Sequence, residues 1–236
     1  MYYGIDPSYI LVIIGSLLCM AASSFVRSTY SKYSRVYSRS NLTGEQAARR
    51  ILQMSGINDV TIHHVSGELT DYYDPRNKKL CLSDSTYASS SVAAVGVAAH
   101  ECGHAIQHHT GYLPIKLRAM VLPLANLGSK IGLPLVLIGL FFGLRIPTAN
   151  GNISLAMIGV WVFSFAVAFQ LITLPVEFNA SSRAARILSD YGILTPDEVS
   201  NVRSVLGAAA MTYVAAAASS VLQLLRLLSI ANRRKD

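Results

Sequence analysis

The chain has 236 residues, 52% hydrophobic and only 14% charged, with a formal net charge of +7 from 20 Lys and Arg against 13 Asp and Glu. A soluble domain carries about 25% charged residues, so the composition argues against a wholly soluble protein and for membrane spans beside one modest domain. The basic excess fits the inside-facing loops of a membrane protein. Nucleic-acid binding has no basic stripe with interleaved aromatics to support it, and three scattered cysteines without a CxxC pair argue against a disulfide framework.

Residues 9–25 are uncharged, at the low end of span length. The basic residues follow this run (Arg27, Lys32, Arg35, Arg39) instead of preceding it. That order predicts a retained first span with its N-terminus outside and residue 27 onward in the cytoplasm, not a signal peptide. Thr43 is placed to cap a helix through Met54, with Gly56 as its stop. Val60–Val65 reads as a strand, and residues 69–83 read as a hairpin around Asp74-Pro75-Arg76-Asn77. Ser89–Ser91 offers an N-cap for a long helix over 91–109.

In the second apolar run only 131–144 lacks charge, which gives about 21 Å of helix, short of a hydrocarbon core of about 30 Å. The span therefore starts near Val121, Lys130 must face protein or water, and Pro123 and Pro134 suggest kinks. Residues 153–174 are a charge-free third span. A polar segment follows, with a helix start at PDEV, 196–199. The last apolar stretch, 205–231, contains Arg226. If it spans, the basic tail of Arg233, Arg234 and Lys235 lies outside, against the charge rule, so the reading inclines to a packed or interfacial helix over a fourth span. The organisation expected is a span at 1–26, a catalytic domain at 27–118, a transmembrane hairpin at 119–175, a second catalytic segment at 176–204, and the apolar helix with its tail at 205–236.

The stretch VAAHECGHAIQHH, 97–109, carries the chemistry. His100-Glu101-Cys102-Gly103-His104 matches HExxH. On a helix, residues four apart share a face, so both imidazoles can address one ion while Glu101 lies beside it. Neutral imidazole suits Zn²⁺ with one open position, and the ion makes water nucleophilic at neutral pH. The bland alternative is a solvated polar face, but unpartnered burial of these groups would be costly. The longer motif with a third histidine fails, because Gln107 and Thr110 occupy its glycine and histidine positions. His108 and His109 read as a wet helix end, and His63 and His64 as ordinary surface or packing. A third ligand must come from elsewhere. Among the downstream acids Glu177, Asp190, Asp197, Glu198 and Asp236, Glu177 stands out in LPVEFNASSRAARIL; its alternative role is to stabilise a helix start after Pro175. Two crossings separate it from His100 and His104, so all three finish on one side.

The apolar start, TDYYDP followed by LCLSDSTY, then SSVAAVGVAAHECGHAIQHH and LPVEFNASSRA resemble the YugP-like neutral zinc metallopeptidases of bacterial membranes, along nearly the whole chain. HExxH with EFxA after two spans is more distantly similar to HtpX and Ste24-type membrane proteases. The resemblance implies an α+β, mainly helical membrane protein. A small zincin-like catalytic domain, an active-site helix plus a small sheet, would sit on three to four transmembrane helices. It implies one Zn²⁺ per chain held by His100, His104 and Glu177, Glu101 as general base, and a peptide or protein substrate. It also implies residence in the bacterial cell membrane, and through HtpX a part in membrane-protein quality control; the charge pattern puts the catalytic domain in the cytoplasm. A homo-oligomer is left open. One departure is Ser181, where the HtpX-like pattern has an aspartate supporting a histidine; Asn179, Ser181 or another acid must then orient the rings. For the oxyanion, Arg183 leads over Tyr191 and Tyr213 as a catalytic donor. Two other readings are a site-2-type intramembrane protease, which lacks its LDG-like motif here, and an inactive zinc-binding scaffold, disfavoured by the intact Glu101.

Overall fold

A computed structural model describes residues 7–148 and 151–232. The MYYGID start and the tail of Arg233, Arg234 and Lys235 fall outside the described residues. In chain order the elements are α1 (Tyr9–Tyr33), α2 (Gly44–Met54), β1 (Thr61–Val65), β2 (Tyr72–Asp74), β3 (Lys79–Ser83), α3 (Asp84–Tyr87), α4 (Val92–His109), α5 (Leu113–Phe142), β4 (Arg145–Thr148), β5 (Gly151–Ser154), α6 (Leu155–Asp190) and α7 (Pro196–Asn232). The protein is α+β and mainly helical. Helices α1, α5, α6 and α7 are each long and apolar enough to cross a membrane.

The chain divides into two compact units. One comprises Met1–Ala21, Lys116–Leu174 and Tyr213–Asp236, the other Ala22–Ile115 and Pro175–Thr212. In the first unit, helices meet at small residues. A Cβ on Gly159 of α6 would lie 2.6 Å from the Val136 backbone nitrogen of α5, and one on Gly15 of α1 would lie 2.6 Å from Ser219 Oγ of α7. Without a hydrophobic drive between helices in lipid, such close backbone approach supplies the packing. Pro123 and Pro134 both lie inside the single helix α5. Lys130 is exposed on that helix, so its own chain does not cover it, and its long stem must carry the ammonium to water.

The second unit is built around α4. Thr43 caps α2 through a reciprocal box: its hydroxyl accepts from the Gln46 backbone N–H (3.2 Å), and the Gln46 side chain accepts from the Thr43 N–H (3.1 Å). Helix α2 then buries Ala47, Ala48, Ile51 and Leu52, which pack with Val95, Ala99, Cys102 and Ile106 of α4 and with Ala184 and Leu188 of α6. The strand and hairpin expected from the sequence form one sheet in the order β1-β3-β2. β2 runs antiparallel to β3, as a hairpin must, whereas β1 pairs parallel to β3. β2 is thus an edge strand, and it lies against α4.

Helix α6 does not restart after Pro175; it is one rod of 36 residues, about 54 Å long. About 20 residues cross a bilayer, so the segment carrying Glu177 continues the helix of the third span. Helix α7 likewise joins the polar 196–204 to the apolar stretch in one helix of 37 residues.

Removing the α2 cap by Thr43→Ala is expected to cost about 1 kcal/mol and to lower the thermal midpoint, which a thermal melt checks.

Candidate metal centre

Helix α4 begins where Ser91 accepts a hydrogen bond from the Ala94 N–H (3.2 Å). Ala93, Ala94, Val95, Gly96, Ala98, Ala99, Gly103 and Ala105 bury it on nearly every side. In such a helix the polar residues are the exceptions that need partners. At Gly103 a Cβ would lie 2.7 Å from the Ala180 carbonyl oxygen of α6. The missing side chain lets α4 and α6 touch backbone to backbone, one turn from Glu177.

That contact brings His100, His104 and Glu177 together. His100 Nε2 is 3.3 Å and His104 Nε2 is 3.4 Å from the same carboxylate oxygen, Glu177 Oε2. The two rings stand edge to face, with centroids 4.7 Å apart and planes at 85°. Glu177 is only 2% exposed. Charge-assisted hydrogen bonds would be about 2.7–2.9 Å, shorter than these separations. Zinc bonds of about 2.0–2.1 Å in a tetrahedron put neighbouring donors about 3.4 Å apart, which matches. The donor set of two imidazole nitrogens and a carboxylate oxygen fits zinc chemically as well. It is the one such three-residue group among the described residues.

The far nitrogens of the rings are held too. His100 Nδ1 lies 3.2 Å from Ser181 Oγ, and His104 Nδ1 lies 3.0 Å from Gln107 Oε1. Ser181 therefore contacts a histidine at the position where the HtpX-like pattern has an aspartate. Asn179 reaches His104 only through Gln107, whose Nε2 donates to Asn179 Oδ1 (3.0 Å) and to the Val176 carbonyl (2.8 Å). Gln107 is the residue that sequence reasoning missed. It served there only to reject a longer motif. The available signal was a fully buried amide three positions from a candidate ligand, on an otherwise apolar helix.

Glu101 is 8% exposed. Burial pushes its carboxyl above the ordinary glutamate range; His100 and His104 pull it back in part, while Asp71 and Glu177 push it further up. A carboxyl shifted in that direction is a better proton acceptor near neutral pH. In His104, burial acts to lower the imidazole pKa, but the carboxylates of Glu177 and Glu101 outweigh it and the net direction is up. Asp71, just before the edge strand β2, accepts from the Ser83 N–H and Ser83 Oγ, both at 2.8 Å.

The remaining sequence candidates have other partners. Arg183 Nε donates to Asn179 Oδ1 (2.7 Å), and its guanidinium carbon lies 5.8 Å from the Tyr112 ring centroid. Tyr191 donates to the Met54 carbonyl (3.4 Å), and Tyr213 belongs to the other compact unit. Glu198 accepts from the Thr195 N–H (2.8 Å) and the Arg39 N–H (2.7 Å), closing the start of α7. Asp236 lies outside the described residues. His108, His109, His63 and His64 are exposed, as expected; His64 pairs with Asp84 at 2.7 Å, and His108 Nδ1 is 3.4 Å from the Tyr73 hydroxyl of β2.

Comparison with known proteins agrees with this chemistry. A family model described as "Putative neutral zinc metallopeptidase" matches residues 8–232. The "Putative membrane protease YugP" of Bacillus subtilis (strain 168) is 43% identical over 229 residues, covering 97% of this chain and 98% of that protein. No solved structure matches. With the model running along nearly the entire chain and the relative aligned almost end to end, the protein belongs to this family of membrane-associated zinc metallopeptidases.

Proposed function

We propose that the chain is a membrane-anchored zinc endopeptidase in which His100, His104 and Glu177 hold one zinc ion and Glu101 is the general base. The observation that carries this reading is the convergence of both Nε2 atoms on one buried Glu177 oxygen. When bound, zinc supplies Lewis acidity that polarises a carbonyl and makes water nucleophilic at neutral pH. Glu101 takes a proton from the attacking water and passes it to the leaving amine nitrogen, which frees the peptide product. The edge strand β2 offers unpaired backbone groups for an extended peptide, so substrate adds to the sheet beside α4.

The domain faces the cytoplasm in this reading, because Arg27, Lys32, Arg35 and Arg39 follow the first span. Two crossings, α5 and the first part of α6, return Glu177 to the side of His100 and His104. Helix α7 is the fourth span in this reading, long enough at 37 residues and as apolar as α5, with a mean hydropathy of 1.7 for each. Turnover of membrane proteins is the role by analogy with HtpX.

Glu101→Gln is expected to keep stoichiometric zinc and to lose peptidase activity by about 10²–10⁴-fold; wild-type cleavage of casein by this variant would rule out the assignment. Glu177→Ala is expected to purify with zinc well below one per chain, which metal analysis reads directly. For orientation, Asn77 is exposed at the hairpin tip. Asn77→Cys should react with a membrane-impermeant maleimide in inverted vesicles and not in intact cells; the reverse pattern would put the domain outside.

A further inference from the structure

Beyond the three donors, the polar groups around the metal centre form a chain with a fixed direction. Arg183 Nε donates to Asn179 Oδ1 (2.7 Å). Gln107 Nε2 donates to the same oxygen (3.0 Å) and to the Val176 carbonyl (2.8 Å). Gln107 Oε1 lies 3.0 Å from His104 Nδ1. Each assignment forces the next. A guanidinium only donates, so the Asn179 atom facing it is the oxygen. The Val176 carbonyl only accepts, so the Gln107 NH₂ group must face it and Asn179. That leaves the Gln107 oxygen for His104. An amide oxygen cannot donate, so His104 carries its proton on Nδ1 and turns the Nε2 lone pair toward Glu177. Gln107 is fully buried, so bulk water does not replace it.

His100 is held differently. Its Nδ1 faces the Ser181 hydroxyl at 3.2 Å, and a hydroxyl can donate or accept. Ser181 therefore favours neither tautomer.

We propose that Gln107 is a positioning residue that fixes His104 in its Nδ1-protonated tautomer, with Asn179 and Arg183 holding Gln107. It rests on the zinc reading above. Arg183 then acts through this chain and not on the substrate. A neutral amide takes the place of the carboxylate or backbone carbonyl that ordinarily receives a zinc histidine's second proton. No new charge is buried beside Glu101 and Glu177, which an additional carboxylate would have entailed.

The test uses the full chain in lipid nanodiscs, stripped of metal and titrated with zinc against a chelator. Gln107→Leu is nearly isosteric and removes both ends of the link; its zinc Kd should rise about 10–100-fold. Asn179→Asp still accepts from both donors and should stay close to wild type, whereas Asn179→Leu should weaken zinc binding. Arg183→Ala should also weaken it. Thr43→Ala serves as the control for destabilisation alone, and its zinc Kd should not move. Wild-type zinc affinity in Gln107→Leu would overturn the proposal. So would Arg183→Ala with unchanged zinc affinity and a lowered kcat, since that places Arg183 on the substrate. If Gln107→Leu does not fold, the Asn179 pair decides: equal zinc affinity in Asp and Leu variants overturns the chain, and a loss confined to Leu upholds it. A wild-type protein that binds no zinc would overturn the zinc reading, and this proposal with it.

Discussion

A carboxylate lies buried between two imidazoles, and the rest of its compact unit is arranged to permit it. Glu177 is almost wholly removed from water. An isolated buried carboxylate is so costly that it would take up a proton instead. Here both neighbouring nitrogens aim at one of its oxygens, at separations that suit a shared cation better than a direct hydrogen bond. Positive charge at that point removes the penalty; a bound divalent ion supplies it most fully, and a protonated histidine only in part. The same burial raises the proton affinity of Glu101, one residue along α4. One desolvated pocket thus gathers the three candidate donors and shifts the Glu101 carboxyl upward.

The geometry depends on two rods meeting closely. Helix α4 is made of small residues, and at Gly103 it lacks the atom that would hold α6 away. Helix α6 continues through Pro175 without restarting, so Glu177 lies inside a helix and not on a loop. Side chains carried by helices are held more precisely than those carried by loops. The rest of this compact unit is a capped short helix and three short strands, with the edge strand lying against α4.

The two histidines are not equivalent. A hydroxyl faces His100 and an amide faces His104. The amide is wired to a carbonyl, a second amide and a guanidinium, each with a fixed donor sense, so order passes inward to one ligand. Supporting a histidine by an amide keeps its orientation without placing a third carboxylate near two already buried. Ser181 contacts His100 and Gln107 contacts His104.

The sequence alone determined everything that depends on local spacing. HExxH on a helix fixes a shared face by its four-residue interval. The Thr43 cap, the hairpin at 69–83 and the long apolar helices follow from capping chemistry, turn residues and hydropathy. Tertiary structure decided what depends on distant segments. The parallel pairing of β1 with β3 carries no local signature. The continuity of α6 through Pro175 was hidden because proline usually marks a boundary, and here the surrounding packing outweighs that preference. The support of His104 by Gln107 was invisible because an amide's orientation is set only by the donors and acceptors that folding brings to it, and these sit some seventy residues further along the chain.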